Sequence, residues 1–164
     1  DYPDTGALYD PDADSWALMS TTDAPVGRAE MAFAWTGTEF IVWGGFGDAG
    51  FLGDGARYDP GTDTWAPIPA TGAPAARAKA RGDWLGNPIN RFVVWGGQGD
   101  PGNVFFDDGA LYDPVNDAWE PMDVADAPSG RHSHSVTAVG DDVIIWGGEG
   151  TGGTLLNDGA GYTP

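Results

Sequence analysis

One short phrase returns along this chain at almost constant intervals, and it limits the fold more than any other feature. "GALYDP" at 6–11 reappears as "GARYDP" at 55–60, "GALYDP" at 109–114 and "GAGYTP" at 159–164, so successive tyrosines stand 49, 54 and 50 residues apart. A period of this size marks an array of supersecondary units, each of which buries its apolar face only against a neighbour. Other residues keep register with the phrase. Trp16, Trp65 and Trp119 follow its first three prolines by five residues, and Arg28, Arg77 and Arg131 close the phrases "APVGR", "APAAR" and "APSGR" twelve residues later. Between each arginine and the next "WGG" lie 14, 17 and 14 residues, as expected of strands joined by variable surface turns.

Within one copy, four strands are predicted. "AEMAFAW" after Arg28 reads as an inner strand and "TGTE" as its turn; "FIVW" is a second strand, apolar at every position and so buried on both faces. The glycine pair then ends the strand and leads into a glycine-rich loop, because glycine permits positive φ and close backbone approach. "GARY" is the third strand, "DP" opens a turn that includes Asp63, and "WAPI" is the fourth, with Trp65 covering the space between successive sheets. Helical periodicity is absent. Four antiparallel strands per repeat of about 50 residues read as one propeller blade.

The apolar strand ending in "GG", the tyrosine before "DP" and the tryptophan shortly after it resemble the kelch motif over essentially the whole chain. The resemblance implies an all-β, kelch-type β-propeller built of four-stranded antiparallel blades. One departure is visible: the histidine that the family often carries three residues after the arginine is His134 in the third copy, but Met31 and Ala80 in the others. The expected division is a partial blade over 1–20, blades over 28–69 and 77–123, and a partial blade over 131–164. About three repeats make an incomplete ring, or one completed by assembly, since propellers close with 4 to 8 blades. The chain is therefore expected to be a piece of a longer protein, or a subunit whose open edges recruit a partner or a second copy.

Charge narrows the partners. The chain carries 7 basic and 25 acidic residues, a formal net charge of −18, and the acids are 21 Asp and only 4 Glu, the pattern of acidic turns between strands. Such a field repels nucleic acid and anionic membranes, which points to protein partners, with weak calcium binding by the Asp-rich loops, and to no membrane insertion. Cysteine is absent, so disulfides are excluded. The copper chemistry of the galactose-oxidase type, which uses a Cys-linked Tyr, is closed for the same reason. We expect a non-catalytic binding or assembly module without a cofactor, in an extracellular or cell-surface setting. The alternative is a fragment of a larger kelch-propeller enzyme acting on glycans as a hydrolase, lyase or isomerase, with part of its site in further blades.

Residues that break the repeat are the better candidates for a site. "RAKAR" at 77–81 gathers three of the seven basic residues, and Arg77, Lys79 and Arg81 are candidate contacts for a carboxylate or acidic peptide; Lys79 replaces Glu30 and Ser133 of the other copies. The resemblance adds that some kelch propellers present basic side chains to acidic peptides from the place that Lys79 occupies. The repeated arginines are expected to form blade-to-blade hydrogen bonds. His132 and His134, two apart and so on one strand face, could join Glu149 around a ligand or transition metal, a weak pattern without a third spaced donor. Trp35 and Trp84 share one repeat position and are expected in the core. "DPDADS" at 10–15 resembles the start of a calcium loop but lacks its glycine and distant glutamate, and reads as a turn.

Overall fold

A computed structural model describes all 164 residues. Apart from one short turn of 3-10 helix, Thr151–Gly153, all regular structure is β. The first blade pairs Ala32–Trp35, Phe40–Trp43, Gly55–Asp59 and Thr64–Ile68 in that order, and the second pairs Arg81–Leu85, Arg91–Trp95, Gly109–Asp113 and Ala118–Pro121. A three-stranded sheet of Ser135–Val139, Asp142–Trp146 and Gly159–Tyr162 follows, and a strand pair, Ala7–Asp10 with Ser15–Leu18, precedes them. Every pairing is antiparallel. The first strands of successive blades lie side by side, so they form the inner edge of an arc.

Registers explain the repeated phrase. Tyr9, Tyr58 and Tyr112 stand opposite Trp16, Trp65 and Trp119, and Gly55 and Gly109 stand opposite Trp43 and Trp95. A Cβ on Gly55 would lie 2.4 Å from the Val42 carbonyl and 2.9 Å from the Trp43 ring, so the glycine of "GARY" leaves room for the "WGG" indole. The glycine pair itself turns the chain off the sheet: Gly44 and Gly45 have φ of 69° and 103°, and the other two pairs repeat this closely.

The core lies between blades. Ile41, Trp43 and Ile68 of the first blade pack with Phe92, Val94, Tyr112 and Trp119 of the second, and Leu85, Val93, Trp95 and Leu111 pack with Val143 and Ile145 of the third. "FIVW" and "FVVW" are thus buried on both faces, as the sequence indicates. "VIIW" is not: Val143 and Ile145 are buried, whereas Ile144 and Trp146 are exposed, because no sheet covers the far side of the third blade. Trp35 is likewise 52% exposed and not a core residue, since the strand pair at 7–18 has no inner strands to cover it; Trp84 packs against the core as expected.

Tryptophan also locks the outer rim. The Trp65 indole N–H donates to the Ser20 carbonyl at 2.9 Å, and that of Trp119 donates to the Pro69 carbonyl at 3.1 Å, in each case four residues past the tryptophan of the preceding unit. Asp63 is more than a turn residue. Its Oδ1 accepts from the Tyr58 hydroxyl at 2.8 Å and, across the blade boundary, from the Ser20 N–H at 2.8 Å, which hold its carboxyl below the usual range. The true turn carboxylates are Asp10, Asp59 and Asp113, whose Oδ1 atoms accept from Asp12, Gly61 and Val115 N–H groups. "DPDADS" is therefore a capped turn.

Candidate functional site

Each glycine pair delivers the chain into a small two-stranded hairpin: Phe46–Gly47 with Gly50–Phe51, Gln98–Gly99 with Val104–Phe105, and Glu149–Gly150 with Thr154–Leu155. The sequence reads these segments as loops, because two-residue strands rich in glycine carry no alternation. Each hairpin is anchored to the segment after the repeated arginine, through bridges joining Ala29 to Phe46, Ala78 to Gln98 and His132 to Glu149. The hairpins and the "APxxR" loops thus share one face.

Buried guanidinium groups brace that face from below. Arg77 Nη1 donates to the Gly96 carbonyl at 3.1 Å, the Asp108 carbonyl at 3.2 Å and Asp108 Oδ1 at 2.7 Å; its Nε donates to Ala75, and its carbon lies 3.8 Å from the centre of the Phe106 ring. Arg28 and Arg131 repeat the arrangement with Asp54 and Asp158. These side-chain bonds stay within one blade, in contrast to the expected blade-to-blade role. The main chain makes the crossing instead: Gly45 N–H donates to the Arg77 carbonyl, and Gly97 N–H to the Arg131 carbonyl, each at 2.8 Å. Nearer the inner edge, Glu30, Lys79 and Ser133 all take left-handed φ of 54–57°, and they form a ladder in which Lys79 N–H donates to Glu30 at 2.8 Å and Ser133 N–H to Lys79 at 3.3 Å.

The residues singled out from the sequence are distributed unevenly over this frame. Arg77 is fully buried and committed to its own blade. Arg81 is half-buried, its Nε donating to the His134 carbonyl at 3.3 Å. Lys79, His132 and Glu149 do meet near the ladder: His132 exchanges main-chain bonds of 3.0 and 2.9 Å with Glu149, and burial, followed by the Lys79 charge, pushes its imidazole down while Glu149 and Glu30 oppose the shift. His132 lies tilted at 48° against Phe105, 5.1 Å away, whereas His134 sits edge-on to Trp95 at 5.1 Å. No group of three His, Cys, Asp or Glu side chains is close enough to hold a metal ion.

A repeated apolar position on the hairpins escaped the sequence reading. Tyr2, Phe51, Phe105 and Leu155 each stand four residues before the glycine of the recurring phrase. Tyr2 reaches the Phe46 ring at 6.3 Å, Phe46 meets Phe51 at 5.0 Å, and Phe105 meets His132 at 5.1 Å, which gives the face an aromatic belt. The register of these residues with "GA" was the available signal.

His134 supplies a pH-dependent property. It is buried with neither ring nitrogen hydrogen-bonded, and burial, reinforced by Arg81 and Arg131, pulls its pKa from 6.5 to about 4. The unfolded chain therefore binds a proton near pH 6.5 that the folded chain refuses until about pH 4. Its contribution is complete above pH 6.5 and is lost as pH falls towards 4, by up to ~3 kcal/mol. His134→Met, which installs the residue found at position 31, is expected to flatten this dependence: urea unfolding at pH 7.5 and pH 5 should show the variant gaining on the parent only at the lower pH. An equal pH dependence in both chains would refute the assignment.

The comparisons with known proteins agree with this architecture. Over 78 residues, 48% of the chain, it is 36% identical to the human multiple epidermal growth factor-like domains protein 8, and 35% identical to the rat and mouse proteins of that name. The matched stretch spans only 3% of the length of each of these relatives. The sequence model of the KLHDC2/KLHL20/DRC7 Kelch-repeats domain matches residues 4–148, from the first strand pair to the third glycine pair. The chain belongs to the kelch-repeat family.

Proposed function

We propose that this kelch region, a protein-interaction propeller module, acts without catalysis of its own and engages its partner through the hairpin face. One observation carries the reading: on the hairpin face, connections that vary between copies in both length and sequence stand on a frame that repeats. The repeated arginine, glycine pair, tyrosine and tryptophan are tied up in packing and hydrogen bonds within and between blades. Residues that differ between copies stand on the hairpins, at Phe46, Gln98 and Glu149 and in the connections 48–49, 100–103 and 151–153. A rigid frame carrying variable loops on one side is the general design of a recognition surface.

A second reading, self-association, is favoured by the rim. Trp16 is 71% exposed and makes no counterpart of the Trp65 and Trp119 locks, while the carbonyl of Asp123, four residues past Trp119, receives no indole. Both readings are tested by placing a photo-crosslinking residue at Asp48 or Asp100 on the hairpins, or at Thr62 or Asn116 in the opposite turns. Adducts with other proteins from the hairpin positions alone are expected. Equal yield from both faces would overturn the docking face, and adducts of two copies that disappear in Trp16→Ala would favour self-association.

A further inference from the structure

Between the first two hairpins lies a groove of about 680 Å³, lined by Phe46, Ala49, Phe51, Ala76, Asp100 and Pro101. We propose that this groove takes a basic peptide segment, with an arginine or lysine side chain laid across the phenylalanine rings and its charge against Asp100. The inference rests on the docking-face reading and supplies the chemistry of the partner.

Three observations carry it. First, Phe46 and Phe51 meet edge to face, 5.0 Å apart at 85°, and both stay half-exposed at the groove, so aromatic surface remains available to a ligand. A cation over such a ring is attracted by its quadrupole, and the alkyl stem of Arg or Lys covers apolar wall at the same time. Second, the carboxylate that lines the groove is free for a partner. Asp100 is exposed and makes no side-chain bond or ion pair. Below the face, by contrast, Asp54 and Asp108 are held by Arg28 and Arg77. Third, no basic side chain lines the groove, and the whole chain carries −18, so a cationic segment is steered in and an acidic one repelled. Lys79, by contrast, stands on the ladder of left-handed residues beside Glu30 and does not line the groove.

The test uses a fluorescent hexapeptide of alternating Arg and Gly with an amidated end, and its Gln-for-Arg counterpart. Anisotropy at physiological salt should show binding of the arginine peptide alone, and amide shifts should concentrate at 46–51 and 100–102. Asp100→Asn is expected to weaken binding about fivefold, and Phe51→Leu, which keeps apolar volume and removes the ring, about threefold. Asp12→Asn, in an exposed turn of the first strand pair, should change nothing. Asp100→Asn touches no buried group, so its effect is readable even if Phe51→Leu loosens the hairpin. Equal loss with Asp12→Asn would show attraction by the diffuse field alone, and equal binding of the glutamine peptide would show an apolar groove without charge recognition. Either result overturns the proposal. Crosslinks from the hairpins to a partner, together with no peptide binding at the groove, would remove this inference and leave the docking face standing.

Discussion

Trp119→Ala is expected to lower the unfolding free energy by about 3–5 kcal/mol, the usual scale for truncating a large buried aromatic. Trp16→Ala, at the equivalent place in the first strand pair, should cost less than about 1 kcal/mol. The two residues hold the same place in the repeat and face the same kind of partner across the strand, a tyrosine. Their surroundings differ: Trp119 is 8% exposed, meets Trp43 at 5.6 Å and Tyr112 at 5.2 Å, and donates to the Pro69 carbonyl, whereas Trp16 has one aromatic neighbour, Tyr9, and is mostly in solvent. Alanine at 119 opens a cavity between two sheets and leaves a carbonyl without its donor; alanine at 16 does neither. Urea denaturation of both variants measures the contrast. Similar losses would mean that the tryptophans act within their own strand pair, and that the rim lock contributes little.

A loss of similar size, about 3–5 kcal/mol, is expected for Arg77→Ala. Removing the guanidinium strands the Ala75, Gly96 and Asp108 carbonyls and the Asp108 carboxylate, and it removes the cation lying over Phe106. Burial pulls the Arg77 pKa down while Asp108 pushes it back up. Arg77→Lys should recover little, because one ammonium cannot reach acceptors arranged for a fork. Asp108→Asn, at a half-exposed carboxylate, should cost much less. Thermal unfolding of the three variants gives the order; a lysine variant as stable as the parent would show that charge matters here and geometry does not.

The blades were legible because their markers are tied to strand register. A tyrosine must face a tryptophan across the strand, and a glycine must make room for the indole of "WGG", so the spacing of these residues reports the pairing directly. The partner of the repeated arginine was also in view, as the aspartate of "DGA" at 54, 108 and 158, yet sequence alone does not say whether a side chain reaches into its own blade or the next. Trp35 was misread for a different reason. Its strand has the pattern of a buried one, and only the extent of the neighbouring sheet decides whether it is covered. The spacing of His132 and His134 suggested one strand face, but Ser133, at φ of 54°, lies in the left-handed region before the strand begins, and the two rings settle against different aromatic residues. Among the proposed site residues, burial of Arg77 could not be read from composition, because basic residues close in sequence diverge once one is drawn beneath the sheet.

The glycine pairs have a consequence for how such a protein diversifies. Every hairpin leaves its sheet at a glycine pair and returns at the next "GA", and main-chain bonds that join blades attach to the glycine pair, the arginine and the ladder beyond it, with the tryptophan locks at the rim. The connections inside the hairpins, 48–49, 100–103 and 151–153, already differ in length by up to a factor of two, yet the joints on either side are the same. The hairpins therefore behave as exchangeable cassettes: a segment of new length and chemistry inserted between those two points alters what the face recognises while the curvature of the arc stays as it was.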